Sequence, residues 1–364
     1  MKMSDERSCC CSSNDCCVEK SLTVYDKKDK WVVDEIHTSK GTVLVVSTNL
    51  DMKDFFEAWK VRWGIGRMDY KISPGLYAVG NPDQTSPVLV SVNYKLTFNA
   101  LRKELAGLDC WILVLDTKGI NVWCAAGKGT FGTNELVHRI LKTELSEIVS
   151  HKKLVLPQLG APGVSAHEVT KQTGFSIVYG PVRAKDIKAF LTSDFKATED
   201  MRTVKFTLWD RLVLTPIDLV AAIKKSLIVF GILFIVNLFA AKPFGLADFI
   251  IYTGTVVTGT VITPVLLPYI PGRAFAWKGW LFGLLWTAGS VWLNGWFTSE
   301  FLLVAIGYLL VLPSLSAFLS MNFTGSSTYT SYSGVIKEMK TAIPLIALSS
   351  ITGILLVLIN SLLA

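Results

Sequence analysis

Histidine is scarce in this chain: His37, His138, His151 and His167 are the only four in 364 residues. None sits near a cysteine at zinc-ligand spacing, so a zinc centre has no support. A cysteine–histidine nucleophile needs a positioned base, and no recognisable pair supplies one. There are seven cysteines, but no run of them has the spacing that holds an iron–sulfur cluster. Charge of one sign does not dominate, since 36 Lys and Arg against 29 Asp and Glu leave a formal +7. The basic residues cluster before and between apolar stretches. That pattern orients a membrane protein and argues against a nucleic-acid partner. The first forty residues are polar and lack the apolar core of a secretory signal. The N-terminal half is therefore expected in the cytoplasm, with its thiols reduced.

Apolar residues are abundant, at 51% of the chain, with a mean hydropathy of +0.43. The excess lies in the C-terminal half, in spans 219–241, 246–267, 275–296, 301–321 and 342–363. Each is close to the ~20 residues that cross a bilayer, and none shows polar residues at regular spacing. Lys224 and Lys225, Arg273 and Lys278, and Lys337 and Lys340 place the N-terminal domain inside and the C-terminus outside a multi-pass cytoplasmic membrane protein. Trp277, Trp280, Trp292 and Trp296 fit interfacial belts, and Asn237, Pro264 and Asn360 read as helix-packing positions.

Ahead of the spans, residues 1–30 are polar and contain Cys9, Cys10, Cys11, Cys16 and Cys17; a flexible tail is expected there. These thiols are either incidental or a trap for a soft cation. Residues 31–200 alternate short apolar strands (43–47, 88–92, 111–115, 120–123, 154–156, 176–179) with helices (52–63, 97–105, from 133, from 166, 184–191). Leu136, Val137, Ile140, Leu141, Leu145 and Ile148 mark the apolar face of the helix from Thr133. Residues 201–216 link this domain to a membrane domain, 217–364. The alternation predicts a parallel, Rossmann-like sheet covered on both faces. Ligands bind such sheets beyond the C-terminal strand ends. Ser91, Val92, Asn93, Thr117, Cys124, residues 160–163, Tyr179 and Gly180 all fall there.

The most informative stretch is Asn121-Val122-Trp123-Cys124-Ala125-Ala126-Gly127-Lys128, followed by Gly129. A lone thiol is presented where a short strand gives way to a glycine-rich turn and a helix. Nearby amides and a helix N-terminus favour the thiolate, the form that binds metals. Gly127-Lys128 is not a phosphate loop, which needs a glycine where Val122 stands and Ser or Thr where Gly129 stands. Cys110, near a strand start, reads as a small buried hydrophobe. From the residues alone, Cys124 is either an ordinary partly buried thiol or a metal ligand.

The octapeptide resembles the cap-helix signature of the HgcA family of mercury-methylating corrinoid proteins. Gly75-Leu76-Tyr77-Ala78-Val79-Gly80-Asn81-Pro82, Asn93-Tyr94-Lys95-Leu96 and Leu156-Pro157-Gln158-Leu159-Gly160-Ala161-Pro162-Gly163 resemble the same family. They are also similar to the corrinoid domain of the corrinoid iron–sulfur protein large subunit. The likeness covers residues 43–191. It implies an α/β Rossmann-like corrinoid-binding domain followed by an all-α five-helix transmembrane domain. The implied cofactor is cobalamin with its own base displaced, and Cys124 is the catalytic residue and lower axial cobalt ligand. Asn121 and Trp123 would shape the cap around Ala125, Gly127 and Gly129 would admit the corrin, and Lys128 would meet a propionamide or phosphate oxygen. Ser91, Val92 and Asn93 would lie near the corrin edge or the lower face, Thr117 would be a further cofactor-binding residue, and Gly160, Ala161, Gly163, Val164, Tyr179 and Gly180 would meet the nucleotide tail.

The implied activity is that of an anaerobic cobalamin-dependent methyltransferase. It passes a methyl group, as a carbanion equivalent, from methylcob(III)alamin to mercury(II) to form methylmercury. The methyl group would come from a methyltetrahydrofolate-linked donor. Electrons would come from a ferredoxin-like dicluster iron–sulfur partner, HgcB. The tail thiols Cys9, Cys10, Cys11, Cys16 and Cys17 would be candidates to hand over mercury. The alternatives are a corrinoid methyl carrier of one-carbon and acetyl-CoA metabolism and a membrane corrinoid-binding protein.

Overall fold

A computed structural model describes residues 30–238, 244–298 and 301–363; the five tail cysteines lie outside the described residues. The chain divides into two compact units. Among the described residues, one holds 30–55 with 68–203, and the other holds 56–67 with those from 204 to 363.

The first unit is built on a seven-stranded sheet. Its strands are β1 (Val32–Thr38), β2 (Gly41–Val46), β3 (Gly75–Val79), β4 (Val88–Val92), β5 (Cys110–Leu115), β6 (Lys153–Leu156) and β7 (Ser176–Tyr179). They lie in the order β1-β2-β3-β5-β4-β6-β7. Strands β5, β4, β6 and β7 are parallel to one another, as expected. The expectation of a wholly parallel sheet is corrected at the other edge, where β3 runs antiparallel to β5 and β1 to β2. A tight turn makes β1 and β2 a hairpin, with the Thr38 hydroxyl donating to the Gly41 carbonyl at 2.7 Å.

Helix α1 (Met52–Arg62) starts in the first unit and has its residues from 56 on in the second. Around the sheet lie α2 (Lys95–Glu104), α3 (Val122–Gly127), α4 (Thr133–Lys142), α5 (Ala166–Thr173), α6 (Ile187–Thr192) and α7 (Glu199–Arg202). Residues 120–123, expected as a strand, instead lead into α3, because the Asn121 side chain caps a helix there. Leu141 does not join the apolar face of α4 and is 60% exposed. That helix stops at Lys142, and Glu144 turns the chain through a left-handed conformation. Leu145 and Ile148 then reach the core by a separate 3₁₀ turn. Residues 184–186, expected as the start of a helix, are likewise a 3₁₀ turn before α6.

The core gathers Leu44, Tyr77, Phe98, Ile112, Val114 and Phe190. Within it lies a completely buried arginine, Arg102. Its guanidinium donates to Asp54 at 2.6 Å, to Asn99 at 2.9 Å and to the carbonyl of Asn49 at 2.9 Å. Lys95 adds a second cation 3.6 Å from Asp54. A buried charge persists only when paired and hydrogen-bonded in this way.

The second unit contains α8 (Leu208–Leu212), α9 (Thr215–Asn237), α10 (Leu246–Val257), α11 (Thr263–Leu266), α12 (Phe275–Leu293), α13 (Leu302–Asn322) and α14 (Tyr332–Leu363). Among the described residues, three helical stretches are long and apolar enough to cross a membrane: Leu246–Tyr269, Leu302–Ser326 and Tyr332–Asn360. The other two expected spans also fold as helices. The span begun by α9 runs on past the described residues, and in α12 Lys278 and several tryptophans and glycines lower the hydropathy. Small residues bring α12 and α13 close, with the Ser316 hydroxyl donating to the Gly279 carbonyl at 2.7 Å. Asn237 departs from the helix-packing role. Its amide bonds both the carbonyl and the N–H of Phe244, at 3.0 and 2.8 Å, and so ties the end of α9 to the residues just before α10.

Arg102→Ala should lower the stability of the sheet unit by about 3–5 kcal/mol, because it strands a buried carboxylate. The shift of the denaturation midpoint of the full chain checks this, and Arg102→Lys should recover little of it, since one ammonium cannot serve all these acceptors.

Candidate functional site

The C-terminal ends of β4, β5, β6 and β7 open onto one edge of the sheet, and the residues singled out from the sequence gather along it. Asn93, directly after β4, is buried and acts as a hub. Its side-chain oxygen accepts from the N–H groups of Thr117 and Gly119, each at 3.0 Å, while its amide donates to Asp116 at 3.0 Å. The Thr117 hydroxyl in turn donates to the Ile120 carbonyl at 2.7 Å. Lys118 and Gly119 both take positive φ, so the chain reverses sharply between β5 and α3. Burial works to raise the Asp116 carboxyl. The Lys118 N–H and ammonium together with the Asn93 amide outweigh it, and the group is held below the usual carboxylate range.

This loop delivers Asn121, whose side chain accepts from the Cys124 N–H at 2.9 Å. Asn121 thereby caps a helix only six residues long. Its inner face is Val122, Ala125 and Ala126; Trp123, Cys124, Gly127 and Lys128 face out. The Ala125 carbonyl accepts from the N–H groups of both Thr130 and Phe131, at 3.0 and 3.1 Å, and folds the following turn back under the helix.

Beneath α3 runs a 3₁₀ turn, Gln158–Gly163. The two approach so closely that a Cβ on Gly163 would strike the Phe131 carbonyl and Ala126, and a Cβ on Gly160 would strike the Phe131 ring. Phe131 is wholly buried between them. The glycines of 160–163 therefore serve contact between backbones, not only turning. Gly127 and Gly129 differ: a Cβ on either would meet nothing, so the surface beside Cys124 is open. Tyr179 donates its hydroxyl to the Val164 carbonyl at 3.2 Å, and burial pushes that phenol up. The Gly180 N–H donates to Leu156 at 2.8 Å.

The structure brings Asn121, Trp123, Cys124, Ala125, Gly127, Lys128 and Gly129 together on the cap, and Gly160, Ala161, Gly163 and Val164 against or just beyond it. Asn93 and Thr117 support it from within the sheet edge, while Ser91, Val92 and Thr117 are themselves buried. One residue was overlooked in the sequence reasoning. The Gln158 side-chain oxygen is buried with no hydrogen-bond partner, in the turn that packs under α3. A glutamine in a Pro–Gly turn carries no signal of its own; only the missing partner reveals it.

Chain comparisons bear on this unit. A model of the family described as the CO dehydrogenase/acetyl-CoA synthase delta subunit matches residues 32–191. The sheet unit is similar to that family. The acetyl-CoA decarbonylase/synthase complex subunit gamma of Methanopyrus kandleri is 34% identical over 131 residues, covering 35% of this chain and 28% of the relative. The subunit gamma of Archaeoglobus fulgidus is 31% identical over 135 residues, covering 36% and 28%. The chain thus spans little more than a quarter of the length of these relatives. The family match ends before α8, so the apolar helices lie outside it.

The donor set constrains what the site can hold. Among the described residues no three His, Cys, Asp or Glu side chains come together to hold a bare metal ion. Cys124 is an exposed free thiol. A single sulfur suits a metal that brings its own equatorial ligands in a flat macrocycle, and the open Gly127–Gly129 surface offers room for one. The orphaned Gln158 acceptor fits an N–H donor at the edge of such a group.

Burial, then the neighbouring Asp109 charge, pushes the Cys110 thiol up to about 12. Iodoacetamide should therefore modify Cys124 and leave Cys110 untouched from neutral pH to about pH 10, as read by peptide mapping. Gly163→Ala should change the Cys124 labelling rate, because the added methyl must displace α3 or Phe131.

Proposed function

We propose that the sheet unit binds a corrinoid on the face that presents Cys124 and serves in methyl transfer. The observation that carries this reading is the exposed thiol of Cys124 on a capped helix, beside a surface open enough to seat a flat macrocycle. A bound corrinoid would supply a cobalt that carries a methyl group and can release it together with the bonding electron pair. Cys124 would be the residue that ligates the cobalt, and a soft thiolate ligand would favour the higher oxidation state of the metal. Asn121 fixes the helix end that carries that sulfur, and Asn93 fixes the loop that delivers Asn121. Lys128 and Gln158 would meet phosphate or amide groups at the rim.

As acceptor we propose mercury(II), giving methylmercury; the octapeptide around Cys124 and the apolar helices support this. Those helices would hold the unit at the cytoplasmic membrane. A methyltetrahydrofolate-linked donor would recharge the cofactor with methyl, and a ferredoxin-like dicluster iron–sulfur partner would return electrons. The comparisons favour a second reading and fit it in more detail. The relatives named as acetyl-CoA decarbonylase/synthase subunits support a corrinoid methyl carrier of acetyl-CoA metabolism, whose acceptor is another protein.

Membranes bearing the full chain, supplied with cobalamin, methyltetrahydrofolate, a low-potential reductant and mercury(II), separate the two. The first reading expects methylmercury from the wild type and none from Cys124→Ala, whose cobalt spectrum should lose its sulfur-ligated character. Methyl transfer to a protein acceptor, indifferent to mercury, would establish the carrier instead. Absence of corrinoid binding would overturn both.

A further inference from the structure

Helix α1 is oriented against the usual rule for an amphipathic helix, which turns its large apolar side chains inward. On its inner side it buries Asp54 and Val61. Outward it shows Met52, Phe55, Phe56 and Trp59, which are 82%, 56%, 55% and 53% exposed. At 100° per residue these four fall within one arc of about 100°, with Trp63 just beyond the helix end in line with them. The chain then passes through Gly64 and Gly66, both at positive φ, and displays Ile65 and Met68, at 57% and 67% exposed. The rings form an ordered surface. Phe56 stacks on Trp59 with centroids 6.1 Å apart, Trp59 meets Trp63 at 5.9 Å, and the Lys60 ammonium lies 4.6 Å over the Phe56 ring. Lys53 and Lys60 border one side of the apolar arc and Arg62 the other.

We propose that α1 and the turn after it form an interfacial segment that seats on an anionic lipid surface, with Phe55, Phe56, Trp59, Ile65 and Met68 entering the headgroup–acyl boundary. Three observations favour lipid over a protein partner. A contiguous aromatic arc edged by lysine and arginine is the composition of helices that lie in the membrane plane. Residues 56–67 group with the unit that carries the apolar helices, so a bilayer that accepts those helices is available to them. The positive border complements the negative surface of a cytoplasmic leaflet. The proposal is independent of the acceptor served by Cys124.

The test places a photo-crosslinking benzoylphenylalanine at Trp59 in the full chain, reconstituted in phosphatidylcholine vesicles with or without phosphatidylglycerol. The same group at Leu141, an exposed position on α4, is the control. Lipid adducts are expected at Trp59 and not at Leu141. They should increase with phosphatidylglycerol, and a Lys60→Glu, Arg62→Glu variant should lose about fivefold or more of that gain. Equal lipid adducts at both positions would overturn the proposal. So would adducts to a second copy of the chain, or crosslinks confined to the chain's own residues. Circular dichroism of the variant, unchanged from wild type, excludes unfolding as the cause of any loss.

Discussion

The candidate site depends on how closely the backbone of α3 approaches the turn at 158–163. A helix of six residues has no stability of its own in water, since nucleation is unfavourable and few hydrogen bonds repay it. What holds this one is external: the Asn121 cap, the double acceptance at Ala125, and Phe131 filling the space between backbones. The approach is possible because Gly160 and Gly163 have no Cβ and because α3 presents Ala125 and Ala126 inward. The position of the Cys124 sulfur is thus set by tertiary packing, and a change two shells away would move it.

The Asn93 hub solves a related problem on the other side of the cap. The loop between β5 and α3 reverses within a few residues, leaving N–H groups turned inward that no strand can satisfy. One amide side chain accepts from two of them and gives one hydrogen to Asp116. Glu135, anchored by Arg139 at 2.6 Å, accepts from the Asp116 N–H at 2.8 Å and ties the loop to α4. A fully satisfied buried network of this kind holds one geometry, because every alternative strands a polar group. That rigidity lets a single soft donor act as a ligand: a mobile thiol would lose in ordering much of what the bond to a metal provides.

Much of this was legible in the residues, and the gaps have physical causes. The parallel half of the sheet followed from apolar runs bounded by turns. Strand β3 did not, because Leu76–Val79 is short and flanked by Gly75, Gly80 and Pro82, which read as loop. Val122–Trp123 resembled a strand because both are β-formers, yet the Asn121 side chain captured the Cys124 N–H and made a helix instead. Periodicity also carried the reading past the end of α4 and so misplaced Leu141. The contact of Gly160 with Phe131 has no local signature, since the partners are nearly thirty residues apart and only the fold joins them. In the second unit composition announced the apolar helices, but the clamp of Asn237 on Phe244 depends on a connection that periodicity does not describe.

The orientation of α1 shows how a polar contact in the core can decide what a surface displays. Hydrophobic periodicity alone would turn Phe55, Phe56 and Trp59 inward, where full burial is worth roughly 1.5–3 kcal/mol for each such side chain. Asp54 prevents this. Rotating the helix would pull its carboxylate from Arg102, and a buried guanidinium without its partner costs about 3–5 kcal/mol. With the rings already about half covered, the two terms are of similar size, so the ion pair can hold the aromatic face outward without decisive loss. An apolar patch of this kind on a free surface invites association. Covered by an apolar medium, the same patch recovers the burial that the ion pair denied it, and the buried arginine and the aromatic face become two consequences of one rotation of the helix.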